Sequence, residues 1–266
     1  MNNIIKIEVV LAGRKVELKM SLAPDSPTDR ELLHALRVCG CPEPEVSDLM
    51  ARVCRPGDFV IDGGANIGFF TVLLSKLVGE KGHVMAFEPG QNNAFSLQQN
   101  ILLNECGNVD ILTRPLWDKE ELVTLHMCHD GSKNSLASHA DTRGKDELMA
   151  AVLDNYVTDN ETPRLLKLDI EGAEEKALRG ATEILGKCPY IVLELNAEAL
   201  PKFNSSAKHI CDFLHDYGYS PFLLHPAGWL PTYLPRRTKV TPTRLNWNVL
   251  FSTFDMVGAA WPEITV

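Results

Sequence analysis

The stretch Val60-Ile61-Asp62-Gly63-Gly64-Ala65-Asn66-Ile67-Gly68 passes from a short apolar run into a helical period. Glycines at such a junction let the chain turn sharply and let a ligand approach the main chain, and the helix start offers free N–H donors. Gly63, Gly64, Asn66 and Gly68 are therefore candidate contacts for a nucleotide-like ligand. The dinucleotide fingerprint needs glycines where this chain has Gly63, Ala65 and Gly68, so it is not matched. A carboxylate such as Asp62 at the end of a first strand repels a pyrophosphate and suits a cation, either an amino group or a sulfonium. Glu88 closes the next strand, where this plan places an acid that accepts hydrogen bonds from ribose hydroxyls. Together the two acids describe a site for a nucleoside carrying positive charge, which S-adenosylmethionine fits and NAD and ATP do not. The plainer reading of the loop is a tight turn with a solvated acid.

A second group of charges follows. Lys167, Asp169 and Glu171 alternate with Leu166, Leu168 and Ile170, so within a strand they share one side. Charges inside a buried parallel strand are costly unless paired, which reads Lys167 as a structural counter-charge to a neighbouring carboxylate. Asp169 is the first candidate for a general base and Glu171 the second. Each has a structural alternative: Asp169 as the partner of Lys167, and Glu171 as the cap of a helix starting near Gly172. Asn134, Ser135 and His139 could hydrogen-bond a polyol, or serve only as loop residues.

The elements that must position these groups are legible as alternating patterns. Residues 4–20 read as a hairpin around Ala12-Gly13-Arg14, with Val16, Leu18 and Met20 on one face. Ser26-Pro27 with Asp29 opens a helix that Gly40 is placed to close, and a second helix spans Glu45 to Val53. From Asp58 onward, short apolar runs alternate with helical periods, the signature of βαβ units and a parallel sheet. Strands are predicted at Phe59 to Ile61, His83 to Phe87, Val109 to Leu112, Leu165 to Asp169, Tyr190 to Leu195, Phe222 to Leu224 and Asn248 to Phe254. Helices are predicted at Phe70 to Val78, Asn92 to Leu103, Ala173 to Leu185 and Ala207 to Tyr217. Residues 119–163 break the alternation. Glu121 to Met127 looks like part of a hairpin, and His129 to Asp146 reads as a lid, mobile for want of apolar anchors. A second irregular stretch, Pro226 to Asn246, carries Arg236, Arg237, Lys239 and Arg244. The expected division is a hairpin and helical cap over residues 1–55, then an α/β domain over 56–256.

The run from Phe59 to Thr71, Ala86-Phe87-Glu88-Pro89, Leu153-Asp154, the block Leu166-Lys167-Leu168-Asp169-Ile170-Glu171-Gly172-Ala173-Glu174 with Leu178-Arg179-Gly180-Ala181, and Ile191-Val192-Leu193-Glu194 resemble the FkbM-type methyltransferases. The Lys-x-Asp-x-Glu-Gly block is more specific than the glycine loop. The resemblance implies a Rossmann-like class I methyltransferase sheet of order 3-2-1-4-5-7-6 with helices on both faces. It also implies methyl transfer from S-adenosylmethionine, commonly to a hydroxyl of a sugar, polyketide or other metabolite. Under that order Asp62, Asp169 and Glu194 come to adjacent carboxyl ends, where open α/β sheets bind ligands. Trp117 and Asp118, just after the third strand, fall where this fold commonly meets adenine, or form a packed aromatic beside a loop acid. Asp169, Glu194 and Asn196 offer oxygen ligands to a divalent cation. Leu195, between the last two, should turn one of them away, so metal-independent transfer is expected.

Composition narrows the classes. With 45% hydrophobic and 23% charged residues in 266, the chain is neither collagen, disordered nor a disulfide knot. A net charge of −9 argues against a partner held through phosphate neutralisation, so no nucleic acid is expected. Seven scattered cysteines read as reduced thiols, and no signal-like or membrane-length apolar run occurs, which points to the cytoplasm. Two other functions fit less well: a nicotinamide-dependent oxidoreductase, disfavoured by Asp62 and the missing glycine, and a non-catalytic S-adenosylmethionine-binding module.

Overall fold

The computed structural model describes residues 3–158, 160–225, 229–235 and 246–262. The first elements are the antiparallel strands β1 (Asn3–Leu11) and β2 (Arg14–Leu22), then helices α1 (Pro27–Cys39) and α2 (Pro44–Val53). The hairpin turns at Ala12 and Gly13, both with positive φ (46° and 76°), as a two-residue turn requires. Ser26 caps α1 by accepting the Asp29 N–H, and Gly40 ends it in the left-handed region.

The alternating segment follows as β3 (Phe59–Gly63), α3 (Phe69–Val78), β4 (His83–Phe87), α4 (Gln91–Leu103) and β5 (Val109–Leu112). After a second hairpin of β6 (Leu122–Cys128) and β7 (Thr142–Met149), the chain forms β8 (Leu165–Leu168), α5 (Glu174–Arg179) and β9 (Tyr190–Asn196). It continues as α6 (Ala207–Asp216), β10 (Ser220–Leu223), β11 (Thr232–Tyr233), β12 (Asn246–Ser252) and α7 (Phe254–Ala260).

Eight strands form one sheet in the order β11-β10-β12-β9-β8-β3-β4-β5. Without the edge strand β11 this is the 3-2-1-4-5-7-6 order, parallel except for β12, which runs antiparallel between β9 and β10. The pleat sorts the side chains. Val60, Val84, Leu165, Val192 and Leu250 meet α2, α3, α4 and α7 on one face, whereas Ile61, Leu166, Ile191 and Phe251 meet α5 and α6 on the other. The hairpin β1–β2 shares the first of these cores through Val9, Leu18 and Met20. Asn100 of α4 and Asn104, which caps it, satisfy the open edge of β2 by accepting the Ser21 and Lys19 N–H groups at 2.7 and 2.8 Å.

Three expectations need correction. The helix predicted from Ala173 to Leu185 stops at Arg179, because Gly180 is pressed against the Trp117 carbonyl and its own carbonyl accepts the Asp154 N–H at 2.9 Å. The last strand ends at Ser252 rather than Phe254. Thr253 instead caps α7, a helix absent from the sequence reading, which assigns only its first residue, Phe254, and assigns it to the strand. Residues 142–146, assigned to an irregular lid, belong to β7 and pair with β6. Most of the stretch from Pro226 to Asn246, with Arg236, Arg237, Lys239 and Arg244, lies outside the described residues. None of the seven cysteines is paired, and no helix among the described residues is long and apolar enough to cross a membrane.

Candidate active site

The carboxyl ends of β3, β4, β8 and β9 open into a cavity of about 410 Å³, within the range of small-molecule sites. The loop after β3 forms its floor. Gly64 has φ 80°, and a Cβ there would stand 1.8 Å from the Asp169 carbonyl oxygen, so only glycine lets β3 and β8 close at this point. Gly68 packs against Leu97 of α4, and Gly63 against Leu168 and Leu116, so Gly63 serves packing and does not line the cavity. Asn66 lines it with φ 52° and a buried Oδ1 that has no protein partner. That idle acceptor is the kind of atom that a donor group of a bound nucleoside would satisfy.

Glu88, 5% exposed, also lines the cavity. Its Oε2 accepts the Asn66 N–H and its Oε1 the Gly90 N–H, both at 2.8 Å, which ties the two strand-end loops together. Burial pushes the carboxyl up to about 7 against those hydrogen bonds.

Beneath the floor lies a buried charge chain. Asp62 is fully buried and does not reach the cavity; its Oδ2 accepts the Thr71 hydroxyl at 2.6 Å. This corrects the expectation of direct cofactor contact. Asp62 acts instead as counter-charge to Lys167, whose Nζ lies 3.8 Å away, 3.2 Å from Asp169 Oδ2 and over the Phe70 ring at 5.1 Å. Burial opposes the ammonium, but Asp169, Asp62 and Glu43 outweigh it and raise the lysine above its ordinary value. The pairing foreseen for Lys167 and Asp169 is therefore present, and Asp169 still faces the cavity.

Around Asp169 stand three more carboxylates. Those of Asp169, Glu171 and Glu194 each offer an oxygen within 4.8 Å of the others. Burial, followed by repulsion from Asp169, lifts Glu171 to about 8 and Glu194 to about 10. Glu43, from the turn before α2, closes the same wall. It accepts a hydrogen bond from Asn248 Nδ2 at 3.1 Å, and burial raises it to about 7. Sequence reading missed Glu43, because only tertiary packing carries it there. Left-handed backbone is found at three non-glycine residues of this lining, Glu43, Asn66 and Glu171, the kind of strain that concentrates at functional sites.

Of the remaining candidates, Asn134 and Ser135 line the cavity, and His139 does not. Asn134 Oδ1 accepts the Cys128 N–H at 2.9 Å, and Ser135 Oγ donates to the Glu171 carbonyl at 3.1 Å. His139 turns outward to Lys202, its Nδ1 3.2 Å from Nζ. Trp117 and Asp118 also lie off the cavity: the indole donates to Glu121 at 3.0 Å, and Asp118 pairs with Lys176 at 2.8 Å. The chain passes the cavity three residues sooner, at Arg114-Pro115-Leu116, and Trp117 is drawn away by its N–H bond to the Ala151 carbonyl. Asn196 is likewise withdrawn, its Oδ1 accepting the Glu198 and Ala199 N–H groups, which leaves Glu171 in the place foreseen for it beside Asp169 and Glu194.

A sheet of this order, with its ligand loop after the first strand and an acid closing the second, defines a class I S-adenosylmethionine-dependent methyltransferase. The chain belongs to the FkbM methyltransferase family, whose domain model matches residues 62–221. No curated protein sequence matches it. Among solved structures it is similar to a SAM dependent methyltransferase from Aquifex aeolicus, with 18% identity over 85% of this chain and 93% of the other, at a TM-score of 0.46. An rRNA methylase from Streptococcus thermophilus shows 15% identity over 78% and 93%, at 0.44. A precorrin-6y C5,15-methyltransferase from Geobacter metallireducens shows 12% over 87% and 92%, also at 0.44.

Proposed function

We propose that this methyltransferase acts on a hydroxyl of a small, uncharged or cationic metabolite, with Asp169 receiving the hydroxyl proton. The reading rests on one observation: the glycine loop, Glu88 and the carboxylates of Asp169, Glu171 and Glu194 line a single cavity. The loop of Gly64, Asn66 and Gly68 cradles the cofactor, and Glu88, already fixed by two backbone donors, has lone pairs left for ribose hydroxyls. Held there, S-adenosylmethionine would supply a methyl carbon on positive sulfur, with the neutral thioether as the leaving group that retains the C–S electron pair. Asp169, oriented by Lys167, takes the proton released from the acceptor oxygen, while Glu171 and Glu194 hold the acceptor's other polar groups. Asn134 and Ser135 close the wall from the lid side. The chain's net charge of −9 disfavours a phosphate-rich partner, which supports a small-molecule acceptor over nucleic acid. With the Lys167 ammonium already beside Asp169, the chemistry proceeds without a divalent ion.

The test is incubation of the protein with methyl-labelled S-adenosylmethionine and a metabolite extract. Label should enter an O-methyl group, persist in EDTA, and be lost in Asp169→Asn while calorimetry finds cofactor affinity within about threefold of the parent. Label in nucleic acid, or an Asp169→Asn protein as active as the parent, overturns the reading.

A further inference from the structure

The two facing carboxylates Asp169 and Glu171 sit on a turn that is neither strand nor helix. Two of its main-chain amides are held by one atom, and the Ala173 N–H closes the turn on the Ile170 carbonyl at 3.4 Å. Oε1 of Glu174, a side chain 1% exposed, accepts the Ile170 N–H at 3.1 Å and the Gly172 N–H at 3.2 Å. These are the two amides that flank Glu171. Below the turn, the Asp169 N–H continues the sheet by donating to Gly63 at 3.0 Å; above it, Ser135 Oγ donates to the Glu171 carbonyl at 3.1 Å. Between those anchors the chain takes φ 54° at Glu171 and 100° at Gly172, where a Cβ would stand 2.7 Å from the Ala199 main chain. A left-handed glutamate is not the local preference of the chain, so something must hold it.

We propose that Glu174 is a positioning residue: its buried carboxyl fixes the direction in which Asp169 and Glu171 face the acceptor. It rests on the assignment of Asp169 and Glu171 given above. Glu174 does not line the cavity, so it acts through the turn alone. Its second oxygen, Oε2, is buried without a partner, so the hold needs one acceptor oxygen and not a charge. Burial also lifts this carboxyl to about 7, which brings the neutral form within reach. Glutamine offers the same oxygen at the same reach; alanine offers none, and aspartate falls one methylene short of the two amides.

The experiment compares Glu174→Gln, Glu174→Asp and Glu174→Ala by three readouts. These are S-adenosylmethionine affinity by calorimetry, label transfer into the metabolite extract, and hydrogen exchange at Ile170 and Gly172. Glu174→Gln should transfer label within about threefold of the parent with both amides protected. Glu174→Ala should keep cofactor affinity within about twofold, expose both amides and lose about 10- to 100-fold in transfer, the scale of a misplaced catalytic group. If Glu174→Ala does not fold, Glu174→Asp carries the same expectation with a smaller loss. A Glu174→Gln protein as slow as the alanine or aspartate variant overturns the inference, as does an alanine or aspartate variant as fast as the parent. The reading it rests on fails separately, by full transfer in Asp169→Asn.

Discussion

At the scale of residues, Gly64 and Lys167 are the positions where a small change should be felt most. A methyl group at position 64 would overlap the Asp169 carbonyl in a left-handed backbone, so Gly64→Ala should lose about 4 kcal/mol or more of stability by denaturant unfolding. Lys167→Met leaves buried Asp62 without its counter-charge and should cost about 3–5 kcal/mol; adding Asp62→Asn should recover part of it. Equal stability of the single and double variants would show the pair to be uncoupled. Glu171, raised to about 8, separates the two candidate bases. If Asp169 is the base, Glu171→Gln should retain transfer and shed any rise of rate centred near pH 8. Strand alternation and loop chemistry, both local, pointed to Asp169, Glu171, Gly64, Asn66 and Gly68, and the family resemblance to Glu194; all of them line the one cavity. Sequence reading misplaced Trp117 and His139, whose direction depends on which distant carbonyl or lysine claims them. It was silent on Glu43, which reaches the site through tertiary packing, where Asn248 of β12, far off in sequence, donates to it.

At the scale of elements, the β6–β7 hairpin and the segment between its strands are distinct in kind. The strands are paired along seven positions, whereas residues 129–141 are held to the rest of the fold by one backbone bridge, Ser135 to His126, and by side-chain bonds such as Thr28 to Asp130 and Asn93 to the Gly131 carbonyl, both at 3.0 Å. Hydrogen exchange should find the β6 and β7 amides protected in the ligand-free protein, and residues 129–141 open but slowed once S-adenosylmethionine is added. Equal protection before and after would argue against gating. β7 escaped the sequence reading because Thr142 to Glu147 is polar on both faces, so the alternation that marks a strand is absent even though the pairing is not. The α1 boundaries were legible, by contrast, because Ser26 and Gly40 are caps whose chemistry is complete within one turn.

At the scale of the whole molecule, the crowd of raised carboxylates ties stability to pH. Glu171 and Glu194 ordinarily titrate near 4.5, yet in the fold they titrate at about 8 and 10. Between those limits the folded chain keeps protons that the unfolded chain has released. Their contribution is therefore fully present below about 4.5 and is lost as pH rises toward 8 and beyond. The melting temperature of the parent should fall from pH 5 to pH 8 more steeply than that of Glu194→Gln; parallel curves would remove the argument. The sheet carries a different consequence, one of timing. β12 is the last of its strands to leave the ribosome, yet it belongs between β9 and β10, which are made earlier. A nascent chain thus carries two finished strands with a gap between them, Ile191, Val192 and Leu193 among the residues waiting at its edge. A chain trimmed to the family-matched residues 62–221 would bare the same β9 edge, because it lacks β12 and ends inside β10.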